Sequence, residues 1–155
     1  MARTYSERLK NQIESYLRSQ KWRYDFNADN GVFSFSMNIG TRMQSVSVRI
    51  FVRENGFTAF GYPPVKADPT TINAVNEYIT RANYGLVQGS FELDYNDGEV
   101  RFKSHAHCGN DIPSIETVEF IVDMSFFMWK RYGDGLLAVI YGNANPKDEI
   151  QKAED

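Results

Sequence analysis

The chain has 155 residues, 42% hydrophobic and 24% charged, with a formal net charge of -3; one ordinary domain of this size can bury about 70% of its unfolded surface. Disorder, a collagen repeat and a coiled coil are excluded by that composition. The single cysteine, Cys108, cannot form an internal disulfide, no Asn-x-Ser/Thr acceptor occurs, residues 1–10 lack the apolar stretch of a signal peptide, and Asp123 breaks the longest apolar run, so a cytoplasmic protein outside the membrane is expected.

From the amino terminus, Tyr5, Leu9, Ile13, Tyr16 and Leu17 recur at helical spacing opposite Glu7, Arg8, Lys10, Glu14 and Arg18, which predicts a surface helix with one buried face. Trp22, Tyr24 and Phe26 then alternate with polar residues, and Phe33, Phe35 and Met37 resume the alternation after Asn30-Gly31. A two-residue turn there pairs Phe26 with Phe35 and Tyr24 with Met37. The next hairpin has Val46, Val48, Ile50 and Val52 on one face, Asn55-Gly56 as its turn, and a return strand that ends before Pro63-Pro64. In that register Phe51 opposes Phe60 and Arg49 opposes Tyr62, so the other face carries three rings interleaved with Arg49 and Arg53. Either a helix covers this face or a partner does.

Asp68-Pro69 is a capping residue followed by proline, and Ile72, Val75, Ile79 and Ala82 mark a short amphipathic helix ending near Tyr84-Gly85. A third hairpin turning at Asp97-Gly98 pairs Leu93 with Phe102, Tyr95 with Val100, Asp94 with Arg101 and Glu92 with Lys103, giving one apolar side and one self-paired charged side. After Pro113, Ser114 caps a long helix with Ile115, Val118, Ile121, Val122, Phe126, Trp129 and Tyr132 on one stripe. Phe120, Met124, Phe127 and Met128 spill onto a second stripe, and Gly133-Asp134-Gly135 is a candidate kink before the apolar pattern continues over 136–141. The polar residues 143–155 open with Asn143-Ala144-Asn145-Pro146, which stops the helix, and are expected to form a flexible tail or a frayed turn. Removing that tail leaves a nearly neutral body, and no stretch concentrates Lys and Arg into the stripe that nucleic acid requires, so no nucleic-acid partner is expected. The fold expected is α+β, an antiparallel sheet built from three hairpins with three helices in the order α-β-β-β-β-α-β-β-α, as a single domain over 1–142.

The segment Asn83-Tyr84-Gly85-Leu86-Val87-Gln88-Gly89-Ser90-Phe91-Glu92-Leu93-Asp94, followed by Asp97-Gly98-Glu99-Val100-Arg101-Phe102, resembles the signature of the YbjN family of bacterial proteins. The closing Leu136-Leu137-Ala138-Val139-Ile140-Tyr141-Gly142 is similar to the end of that family's last helix. The resemblance implies a fold like that of the class I type III secretion chaperones, small α+β domains that commonly dimerise and bind polypeptide segments. It also implies a regulatory role in stress or sensory pathways, and it carries over no catalytic motif. Read physically, the same segment hands a helix over to a hairpin, with Gly85 and Gly89 freeing the backbone at its start.

His105, His107, Cys108 and Asp111 are potential metal ligands, and strand alternation puts the two histidines on one side. A structural zinc site takes four ligands, and no second Cys or His pair exists in the chain, so a loop with incidental imidazoles is favoured and no metal or cofactor is expected. Neighbouring strand residues point to opposite faces, which separates Cys108 from His107 as a nucleophile pair. Nucleophile elbow, phosphate loop and dinucleotide motif are all missing from the sequence. The expectation is therefore a non-enzymatic, homodimeric protein-interaction or chaperone-like domain, with Phe51, Phe60, Tyr62, Arg49 and Arg53 as its interaction residues. A rival reading is a small-molecule or metal sensor using the stretch 105–111 or a pocket between the sheet and the last helix.

Overall fold

The computed structural model describes residues 4–155; Met1, Ala2 and Arg3, the start of the expected domain, lie outside the described residues. Helix α1 (Glu7–Ser19) begins where the Ser6 hydroxyl accepts the Leu9 N–H, and it buries Leu9, Ile13, Tyr16 and Leu17 along the stripe its sequence predicts. Six strands follow in antiparallel pairs: β1 (Asp25–Asn27), β2 (Val32–Asn38), β3 (Ser45–Val52), β4 (Gly56–Tyr62), β5 (Ser90–Leu93) and β6 (Val100–His107). They form one sheet in the order β1-β2-β3-β4-β6-β5. Helix α2 (Ile72–Asn83) carries the chain from β4 across to β5, and α3 (Ile115–Tyr141) lies over β3, β4 and β6.

The α+β class and the strand content agree with expectation, and all three hairpin registers differ from it by two residues. Phe26 pairs with Phe33, Arg49 with Phe60, and Phe91 with Phe102. The reason lies in the turns. In the first and third hairpins the Asx-Gly pair ends a four-residue loop instead of forming a two-residue one. The Gly31 N–H bonds the Asn27 carbonyl at 2.9 Å and the Gly98 N–H bonds the Asp94 carbonyl at 2.8 Å, both glycines at positive φ. The Asn27 and Asp94 side chains start these loops by accepting the N–H two residues on, a local bond that competes with the tighter turn. In the second hairpin the turn falls one residue earlier, on Glu54-Asn55, with the Arg53 N–H bonding the Gly56 carbonyl at 2.9 Å. Gly56 is not a positive-φ turn residue; a Cβ there would collide with the Ala106 carbonyl of β6, so it permits close strand approach. Because a slip of two preserves the strand period, every side chain keeps its predicted face. Tyr95 is the exception, since it leaves the apolar ladder and is exposed in the loop.

Gly133-Asp134-Gly135 does not interrupt α3, which runs unbroken for 27 residues. The glycines serve packing. A Cβ on Gly133 would press on the Met43 sulfur at 2.8 Å, and one on Gly135 would strike the Tyr78 hydroxyl, which itself donates to the Tyr132 carbonyl at 2.6 Å. Trp129 anchors α3 to the sheet by donating its indole N–H to the Gly61 carbonyl at 3.0 Å. Met128 belongs to the core and not to the second stripe.

Residues 143–155 are not a flexible tail: they hold a fourth helix, α4 (Pro146–Glu154), where three helices were expected. Asn143 ends α3 at φ 50°, and two residues later the Asn145 side chain accepts the Lys147 and Asp148 N–H groups, with Pro146 at the first helical position. The run Asn143-Ala144-Asn145-Pro146 that halts one helix also starts the next. Buried Ile150, the Tyr132 hydroxyl on Glu154 at 2.9 Å and Arg131 on the Ala153 carbonyl at 3.1 Å hold α4 against its neighbours. By contrast, Asp68-Pro69 opens only a turn, its carboxylate accepting the Thr70 and Thr71 N–H groups, and α2 itself begins at Ile72.

Candidate functional site

The helices pack on a single face of the sheet. Val46, Val48, Ile50, Val52, Phe57, Ala59, Phe102 and Ser104 are buried beneath them, while the alternate positions look outward with none of the described helices over them. This open face holds Phe51, Phe60 and Tyr62, each half-buried, and exposed Arg49. Phe51 meets Phe60 edge-on at 5.5 Å, although the two are diagonal and not direct neighbours, and Phe60 lies 6.1 Å from Tyr62. Arg49 sits across from Phe60 instead of Tyr62. Arg53 lies beyond the end of β3, with its guanidinium 5.4 Å from the Phe51 ring centroid and bonded to the Asn30 carbonyl at 3.1 Å. The four β-strand residues named from the sequence therefore converge, and Arg53 edges the cluster as a loop clamp.

Three further contributors, which the sequence places on the charged side of the third hairpin, join the rings through a non-local pairing. β6 aligns beside β4 with Phe60 opposite Lys103 and Thr58 opposite His105. The charged side of the third hairpin thereby becomes continuous with the ringed side of the second. Arg101 stacks 4.1 Å from the Phe60 centroid and bonds Glu92 at 2.8 Å, while Lys103 bonds the other Glu92 oxygen at 2.9 Å. Burial opposes ionisation of Glu92, and the hydrogen bonds from Lys103 and Arg101 outweigh it, holding the carboxyl below its ordinary value. Only the alternation of Glu92, Arg101 and Lys103 was visible beforehand; their proximity to Phe60 was not.

His105 and His107 do share the open face, as alternation predicts, and His105 Nδ1 hydrogen-bonds the Thr58 hydroxyl at 2.8 Å. Cys108 turns away, its thiol directed at the Ala106 carbonyl and its pKa raised by burial, so it lacks thiolate character. Asp111 follows in the loop, and among the described residues no group of three His, Cys, Asp or Glu side chains gathers in ligating geometry.

The segment from Asn83 to Asp94 works as a joint. The Asn83 side chain accepts the Phe91 N–H at 2.7 Å and donates to the Phe91 carbonyl at 2.9 Å. It thereby closes the outer edge of β5, which would otherwise offer both groups to another strand. A Cβ on Gly89, at φ 76°, would press on the Phe102 ring at 2.7 Å. Among the described residues no helix is long and apolar enough to cross a membrane. No protein-family model matches this chain, and no curated protein or solved structure matches it either.

Proposed function

We propose that this chain is a non-enzymatic, polypeptide-binding domain of the YbjN, chaperone-like type, acting in the cytoplasm as a homodimer with a regulatory role, and that the open sheet face receives the partner. The observation that carries the reading is that Phe51, Phe60 and Tyr62 stand half-buried beside Arg49 and Arg101 with none of the described helices over them. Rings and guanidinium groups are what interface centres favour, because they bury large area while losing few rotamers. A polypeptide suits this face better than nucleic acid, since Glu92 engages both Arg101 and Lys103 and offsets half of their charge, leaving too little cationic surface for a phosphate stripe. The test compares the wild-type chain with a Phe60→Ala/Arg49→Glu double variant that keeps wild-type helicity and a cooperative melt well above the assay temperature. A polypeptide retained by the wild type and lost from the variant is expected. Equal retention by both, or salt-sensitive binding of a single-stranded oligonucleotide to the wild type, overturns the reading.

A further inference from the structure

Helix α3 has a second exposed surface, on the side away from the sheet. Phe120 and Phe127 are 54% and 47% exposed, and half-buried Met124 lies between them. An apolar helical stripe of this kind is costly to leave in water. Its charges are distributed unevenly along the axis. Exposed Glu116 and Glu119 flank the amino-terminal end, whereas exposed Lys130 stands at the carboxyl-terminal end with its ammonium 4.8 Å from the Phe127 centroid.

We propose that this stripe is a two-fold interface at which α3 packs antiparallel against α3 of a second copy. A two-fold contact requires a surface that is complementary to itself, so residues at equal distances on either side of the axis must attract. This stripe meets that condition. Phe120 and Phe127 are centred between residues 123 and 124, and Glu116 and Lys130 are centred on residue 123, a difference of about 0.8 Å along a helix. An antiparallel copy therefore sets Phe120 against Phe127 and, at both ends, Glu116 against Lys130. A parallel copy would instead align like charges. Asp123, near the axis, also lines this groove, and its carboxylate is engaged on the α1 side by accepting the Tyr16 hydroxyl at 2.6 Å. The open sheet face lies on the other side of the molecule, so a dimer of this form leaves both copies of that face free.

The inference rests on the homodimer reading above and assigns its surface. The experiment is sedimentation velocity on the full chain over a concentration series, with Glu116→Lys, Lys130→Glu and an equal mixture of the two. The wild type is expected to dimerise, and each single reversal to weaken the dimer about tenfold or more by placing like charges together at both ends. The mixture recovers dimers, since the lysine introduced at position 116 of one variant then meets the glutamate introduced at position 130 of the other. A wild-type chain monomeric throughout overturns the homodimer reading and this inference together. A wild-type dimer untouched by either reversal overturns the assigned surface alone, and dissociation without recovery on mixing overturns the antiparallel arrangement.

Discussion

The two faces of the sheet contain similar rings and meet opposite fates. Phe33, Phe57 and Phe102 are fully buried against α3 and its neighbours, while Phe51, Phe60 and Tyr62, carried on the same sheet, remain half-buried with arginine side chains and none of the described helices above them. What differs is the company each ring keeps across the strands. Phe33 lies opposite Ile50, whereas Phe60 lies between Arg49 and Lys103. Covering the inner set removes only apolar surface from water. Covering the outer set by a fixed helix would strip hydration from several cations at once. An aromatic strand residue thus announces that area will be buried, and its cross-strand neighbours decide whether the covering is permanent.

Substitutions can sharpen this contrast. The largest loss is expected for Phe57→Ala on the inner face, about 3–5 kcal/mol of unfolding free energy, from lost burial and the cavity left behind. Asn83→Ala comes next, at about 1–3 kcal/mol, because it strands the Phe91 N–H and carbonyl at the sheet edge. Faster hydrogen exchange at the Phe91 amide distinguishes that cause from general loosening. Phe60→Ala should cost about 1 kcal/mol, chiefly its stacking with Arg101; a loss near that of Phe57→Ala in urea titration would show that the two faces are not distinct.

The smallest effect belongs to Glu92→Gln, below about 1 kcal/mol at neutral pH because the pair is partly solvated. Its sign with pH is fixed by a depressed folded pKa. The stabilisation is fully present above the unfolded value of about 4.3 and is lost as pH falls through the lower folded value. Midpoints for wild type and variant should therefore converge in acid and separate toward neutrality. Convergence in the opposite direction would contradict the ion-paired geometry.

Much of this was legible in residue order, and the failures share a cause. Alternation placed the β3 and β4 side chains on their correct faces even though every hairpin slipped by two, since such a slip leaves the strand period intact. The slip itself was hidden because Asn-Gly and Asp-Gly suit a two-residue turn as well as the end of a longer loop. Asn27 and Asp94, four residues before Gly31 and Gly98, were the available signal. Asn145-Pro146 followed by Asp148 and Glu149 was likewise a readable helix start, masked because Ile150 is nearly the only apolar residue after it.

By itself, then, the sequence determined the local order of helices and strands, the face each side chain occupies and the existence of an aromatic, arginine-bearing surface, because periodicity and turn chemistry act over a few residues. Only the tertiary structure decided that β6 lies beside β4, which joins Arg101, Lys103 and Glu92 to Phe60 across more than 30 residues of chain. It also decided that α3 passes unbroken over two glycines and that α4 has somewhere to dock. Those outcomes depend on which surfaces meet, and the free energy of that meeting belongs to pairs of elements far apart in the chain.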